Sequence, residues 1–193
     1  MTLRVLIACE YSGVMRDACI AQGLDAISCD LRPTERPGPH YQGDVRVMLR
    51  EQWDAIFAFS DCTRKANSGV RWLAERNLWA DLDAECALFN EIGAHPCPHI
   101  CRENSLPHKY AVLRVGMYSQ IIHPWQHGHG ERKPICLWLK GLPLITPTNI
   151  VEGREQRIWK MSPGPNRAKE RALMFSGVAN AMAAQWAKFL LKS

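Results

Sequence analysis

The sequence predicts an α/β fold, a parallel sheet covered by helices on both faces. Three observations lead there. Apolar runs with β-branched members read as strands buried on both sides, helical-period segments lie between them, and polar turns follow each run. Strands alternating with helices require crossover connections, and such sheets collect their ligand site at the carboxyl ends of the strands.

Residues 3–9 (LRVLIAC) form the first such run. The turn EYSG follows, then Val14, Ala18 and Ala21 recur at helical spacing, and Gly23 supplies a stop. Residues 25–31 (DAISCDL) read as a second strand, ended by the proline-rich loop RPTERPGPHYQG, which cannot continue regular structure. Residues 53–59 (WDAIFAF) repeat the pattern, with the polar loop SDCTRKANSG and an amphipathic stretch over 70–92. Short strands are expected at 99–102 (HICR) and 133–139 (KPICLWL); the segment between them and residues 143–165 read as loops. Residues 167–192 carry a helical pattern, broken near Ser176-Gly177 and Ala-rich at its end.

A chain of 193 residues, 47% apolar and 22% charged, has the composition of one folded domain over 1–193 rather than of a disordered or fibrous protein. Without a run of about 18 apolar residues or a signal-peptide pattern, it reads as cytoplasmic, with no membrane partner. A net charge of +5 tolerates a polyanion without demanding one. The eight cysteines fall in expected core elements, not at the spacings of a disulfide framework.

Four strand-end segments carry the chemistry. Cys9-Glu10-Tyr11-Ser12-Gly13 is a tight turn opening a helix, and Asp30, about 20 residues on, stands where an acidic side chain meets a nucleoside ribose. Gly43-Asp44-Val45 offers a carboxylate that can accept from an exocyclic amine. Cys62, three residues past an expected strand and beside Arg64 and Lys65, is the most nucleophile-like thiol, since nearby cations favour thiolate; the adjoining Asp61 opposes them. Glu103-Asn104 follows the HICR strand, where Glu103 can serve as a general acid. Each segment alone also has a purely structural reading, as a turn, a solvated acid, a core thiol or a cap.

Together these segments resemble the cytosine C5 DNA methyltransferase family of the class I S-adenosylmethionine-dependent methyltransferases, in order and over nearly the whole chain. CEYSG is similar to a degenerate glycine-rich first motif, and Asp30-Leu31 to the acidic end of strand two. Gly43-Asp44-Val45 resembles the Gly-Asp-Ile-like segment. Cys62 falls at the Pro-Cys-Gln nucleophile, with Gly69 at the glycine ending that loop, and Glu103-Asn104 resembles Glu-Asn-Val. Residues 177–181 (GVANA) are similar to the segment that closes the cofactor pocket. NSGVRWL and CLWLKGLP further resemble a compact, phage-associated subgroup without a target-recognition domain. Asp61 stands where the family has proline.

The resemblance implies a Rossmann-like sheet and S-adenosyl-L-methionine bound by Cys9, Glu10, Tyr11, Ser12, Gly13, Asp30, Leu31, Asp44, Val45 and Asn180. It implies Cys62 attacking cytosine C6 while Glu103 contacts N3, with Arg64, Lys65, Asn67, Arg71 and Asn104 toward a DNA, other polynucleotide or cytosine nucleotide substrate. A protein partner would supply target recognition, in a bacterial cytoplasm for a phage or prophage product. Two alternatives stand beside it: a non-catalytic fold that binds cofactor or nucleic acid, and methylation of cytosine nucleotides or of an exocyclic amine. His95, Cys97, His99 and Cys101 alternate, so an extended chain would align four zinc-type ligands, but the spacing matches no finger or ribbon and no metal is expected. Trp125 and Trp159, in loop-like segments, are candidates to stack on bases.

Overall fold

The computed structural model describes residues 2–164, 171 and 174–192, without the Trp159 side chain. Five parallel strands form most of its sheet: β1 (Arg4–Ala8), β2 (Asp25–Asp30), β3 (His40–Gln42), β4 (Ala55–Ala58) and β5 (His99–Ser105). They lie in the order β3-β2-β1-β4-β5. Beyond β5 runs the antiparallel β7 (Ile135–Lys140), and β6 (Gln120–Ile122) pairs antiparallel with its far side. The sheet is a doubly wound Rossmann-like sheet with one antiparallel strand inserted near its edge, and helices cover both faces.

Strand alternation sorts the core. Val5, Ile7, Phe57, Cys101 and Leu137 face α1 (Val14–Ala21) and α7 (Ser176–Leu190). Trp186 of α7 is fully buried there, its ring centroid 4.8 Å from Phe57, and its indole N–H donates to the Pro143 carbonyl at 3.0 Å. Leu6, Ala8, Ile56 and Ile100 face the opposite side with Val45 and Met48 of α2 (Val45–Met48) and Ile92 of α4 (Trp79–Ala94). The β7 side of that face is closed by α3 (Val70–Glu75), α4 and α5 (Lys109–Val115), packed on Cys136 and Trp138.

The structure revises several elements. The amphipathic stretch over 70–92 is two helices: Asn77 takes a left-handed conformation (φ 49°), and Leu78 N–H reaches back to the Leu73 carbonyl at 2.9 Å, a closure that ends α3. The proline-rich loop contains β3, and the segment read as loop after residue 104 contains α5 and β6. β5 runs through Ser105, so Glu103-Asn104 lie within the strand rather than after it. α7 starts at Ser176, while the expected helix start at 167–170 lies outside the described residues. α6 (Arg157–Lys160) interrupts the long loop before it.

The alternating His95–Cys101 segment does not bring its four side chains together. His95 and Cys97 precede the strand, where His95 Nδ1 accepts from the Cys97 N–H at 3.0 Å; His99 bonds the Gly141 carbonyl at 2.6 Å, and Cys97 and Cys101 belong to cores on opposite faces. No helix among the described residues is long and apolar enough to cross a membrane.

Candidate functional site

Three loops converge at the carboxyl ends of β1 and β2. Cys9 is left-handed (φ 58°), and the Glu10 N–H donates to the Cys29 carbonyl at 2.9 Å, turning the chain toward β2. Burial pushes the Cys9 thiol up to about 12, and the carboxylates of Asp30 and Asp44 add to the push. Asp30 Oδ1 accepts from the Arg32 N–H at 2.9 Å. Asp44 caps α2, accepting from the Arg46 N–H at 2.9 Å.

Glu10 is 5% exposed; one carboxylate oxygen accepts from the Ser12 hydroxyl and the other, Oε2, has no partner among the described residues. Burial raises its pKa, against the opposing pull of Ser12, Arg16 and the first N–H groups of α1. A carboxylate therefore occupies the helix N-terminus that in dinucleotide-binding folds receives a phosphate. Beside it, Tyr11, Arg32, Pro33, Thr34 and Glu35 line a crevice of about 320 Å³, with the Arg32 guanidinium 4.6 Å from the Tyr11 ring centroid.

Gly13 is left-handed (φ 75°), and a Cβ there would lie 2.6 Å from the Arg16 guanidinium, so the missing side chain makes room for Arg16. Arg16 is fully buried, and its guanidinium donates to Ser28, Thr34, Asp17 and the carbonyls of Arg36 and Pro37 at 2.8–3.2 Å. Val45 is a core residue, Leu31 is 74% exposed, and Asn180 is exposed on α7 without a hydrogen bond to these loops.

The second part of the site is the loop after β4. Asp61 Oδ1 accepts from the Thr63 N–H (2.8 Å) and hydroxyl (2.6 Å), forming a tight local turn. The loop is then tied to the segment after β5: Asn67 N–H to the Leu106 carbonyl at 2.8 Å, and His108 to the Arg64 carbonyl at 2.7 Å. A Cβ on Gly69 would strike the Thr63 carbonyl oxygen, so the glycine lets the loop close on itself.

These ties bring Cys62 to β5. The Ser105 hydroxyl donates to Cys62 Sγ at 3.7 Å, and Glu103 shares the strand face of Cys101 and Ser105. Burial, then the Glu103 carboxylate, push the Cys62 thiol up; the Ser105 hydrogen bond and Lys133 pull it down. Burial likewise raises Glu103, opposed by Lys133 and Lys65. Lys133 reaches the pair because β7 runs antiparallel to β5, pairing Ile135 with Ser105, and the ammonium is fixed on the Arg171 carbonyl at 3.0 Å. Composition and order along the chain do not show Lys133 or Ser105 as site residues; a prediction of the antiparallel pairing would have.

The expectation that Arg64 and Lys65 favour a Cys62 thiolate fails. Lys65 is 1% exposed, its ammonium bonded to the Asp61 carbonyl and 3.5 Å from Glu85, and Arg64 lies 3.4 Å from Asp81. Lys65 is thus turned inward, whereas the Arg64 pair with Asp81 is an exposed one. Asn104 is fully buried on the face opposite Glu103, with neither amide atom partnered among the described residues. Asn67 is exposed, and Arg71 and Arg76 flank the Trp72 ring at 4.2 and 4.1 Å.

No protein-family profile and no curated protein matches this sequence. Among solved structures the chain is similar to a protein described as a DNA modification methyltransferase encoded within a prophage of E. coli, at 12% identity and a TM-score of 0.52, over 78% of this chain and 52% of that one. It is also similar to the Entamoeba histolytica methyltransferase EhMeth (15% identity, TM-score 0.48, 81% of this chain and 57% of that one). The Dnmt2 methyltransferase of S. pombe follows at 17% identity and a TM-score of 0.46, over 84% and 55% of the two chains. The chain thus has the α/β fold seen in the prophage protein, and spans about half that protein's length.

Proposed function

We propose that residues 1–193 act as one S-adenosylmethionine-dependent methyltransferase unit on cytosine C5 in DNA or a related polynucleotide. The observation that carries the reading is the hydrogen bond from the Ser105 hydroxyl to Cys62 Sγ at 3.7 Å, which sets the thiol against the face of β5 that also carries Glu103. A thiolate attacks cytosine C6 only if N3 receives a hydrogen bond or proton at the same time, so a nucleophile and a carboxylic acid must share one pocket. Burial favours the protonated form of Glu103 that can donate to N3.

A proton passed from Cys62 Sγ to the Glu103 carboxylate, directly or through one water, yields both required forms at once. The transfer also removes the negative charge that opposes the thiolate, leaving Lys133 and the Ser105 hydroxyl to stabilise it. The residues at the β1 and β2 ends suit the cofactor. Glu10 repels a pyrophosphate at the start of α1 and its unpartnered oxygen fits an ammonium group, while Asp30 and Asp44 offer acceptors to the ribose and the adenine amine. S-adenosylmethionine, when bound, supplies an electrophilic methyl group.

One observation favours a second reading, a non-catalytic binder: the Cys62 thiol is pushed up by burial, and Asp61 adds to that push. Transfer of a tritiated methyl group to duplex DNA, single-stranded DNA, RNA and cytidine nucleotides decides between them. Label on cytosine C5 that disappears in Cys62→Ser while cofactor binding persists supports the enzyme. Cofactor binding without label supports the binder, and label on an exocyclic nitrogen overturns the C5 chemistry.

A further inference from the structure

The turn before β7 and the loop carrying α6 wall an open cleft of about 790 Å³, lined by Arg132, Arg154, Arg157 and Lys160 together with Glu155 and Gln156. Its two walls are stitched together. Arg132 N–H donates to the Glu155 carbonyl at 2.7 Å, Glu155 N–H donates to the Gly130 carbonyl at 2.9 Å, and a parallel bridge joins Glu131 to Glu155. Glu131, 4% exposed, holds α6 from below, accepting from the Ile158 N–H at 3.3 Å and lying 3.7 Å from the Arg157 guanidinium.

That leaves the cleft positive. Arg132, Arg154 and Lys160 have no carboxylate partner among the described residues, and Glu155 is the acidic side chain in the lining. The Arg154 guanidinium lies 3.7 Å from the Trp125 ring centroid, and the other stacking partner of that indole is His123. Burial, and after it the charges of Arg132 and Arg154, depress the His123 imidazole. Like charges held around an open gap repel one another until an anion enters. Three cations without a carboxylate partner among the described residues, two of them guanidinium groups that can grip phosphate oxygens with two parallel N–H donors, match a phosphate chain. Arg132 of the lining is followed in the chain by Lys133, the cation that acts on Cys62 and Glu103.

We infer that this cleft docks the sugar–phosphate chain of a single-stranded nucleic acid, with Arg132, Arg154 and Lys160 on phosphates. The inference deepens the proposed function and rests on it for the reaction, but the binding is measured apart from the reaction.

The probe is a short fluorescein-labelled oligothymidylate, which holds no cytosine, followed by fluorescence anisotropy across a salt series. In single-stranded binding each phosphate contact contributes about 0.7 to the slope of log K against log salt. Arg132→Gln/Arg154→Gln should therefore flatten the slope by about 1.4 and weaken binding about tenfold or more at low salt. Arg50→Gln, an exposed arginine after α2, should change neither, and circular dichroism checks that each variant folds. Wild-type affinity and slope in the double variant overturn the inference. So does polyglutamate displacing the probe as well as unlabelled oligothymidylate does, which would assign the cleft to an acidic peptide, and so does a duplex binding more tightly through the same arginines. Loss of oligothymidylate binding in the variant, with no methyl transfer by the wild type to any substrate, leaves the cleft standing and removes the proposed reaction instead.

Discussion

Replacing Lys65 with methionine tests whether this cation is internal scaffolding of the Cys62 loop. The substitution keeps an apolar stem but removes an ammonium that is 1% exposed, bonded to the Asp61 carbonyl, 3.5 Å from Glu85 and 5.5 Å from the Phe89 ring centroid. Glu85 would keep a single N–H donor, from Arg64 at 3.1 Å, while burial already lifts its carboxyl above the ordinary value. Stripping one partner from a buried pair costs about 3–5 kcal/mol, and the 21% exposure of Glu85 places the cost near the lower end. At about 2–4 °C per kcal/mol for a domain of this size, a loss of about 3 kcal/mol lowers Tm by about 6–12 °C, read by thermal circular dichroism at neutral pH. Lys65→Met/Glu85→Leu should regain most of that, because the uncompensated acid is gone. A Tm for Lys65→Met within about 2 °C of wild type, with weakened nucleic-acid binding, would refute the reasoning and return Lys65 to the substrate surface.

Two further predictions concern protonation. Because burial and Glu103 hold the Cys62 thiol above its ordinary value of 9.0, iodoacetamide labelling of the Cys62 peptide should be slow at neutral pH and accelerate only above that value, and Glu103→Gln should speed it at fixed pH; fast labelling of wild type at neutral pH contradicts this. Burial lowers the imidazoles of His123, His127 and His129 below 6.5, so the fold holds them neutral while the unfolded chain takes up protons first. Their contribution is whole above about pH 6.5 and is lost as pH falls through their lower native values. Glu10, Glu85 and Glu103, raised in the fold, act in the opposite sense at more acidic pH, so the comparison is with a variant. His129 Nε2 accepts from the Gly177 N–H at the start of α7, and His129→Gln should show a smaller loss of Tm between neutral pH and about pH 5.5; an unchanged slope removes His129 from the account.

The central sheet is legible in the sequence because its strands are buried on both faces, which writes them as apolar runs such as LRVLIAC and AIFA. The short edge strands β3 and β6 are not: HYQ and QII are three residues each, too short to write either an apolar run or an alternation. At the candidate site, Cys62 and Glu103 stand out by residue type, although Glu103 lies inside β5 and not past its end. Lys65 misled, since a lysine written in a polar loop carries no mark of the carbonyl and carboxylate that draw it inward. Lys133 stayed hidden for the converse reason, as its relation to Cys62 exists only through the antiparallel register of β5 and β7.

Arg16 and the two glycines around it also constrain how this chain can change. A Cβ on Gly13 or Gly38 would fall 2.6 Å and 2.8 Å from the same guanidinium, and both glycines have positive φ. The three positions therefore form an epistatic unit with a direction. Arg16 must shrink before either glycine can grow, and once it has shrunk, the five groups it binds need new partners before the 34–39 loop can hold its course. Mutational routes through this corner of the molecule are ordered, and a library that randomises Gly13 alone will find it invariant even where the ligand has no interest in it.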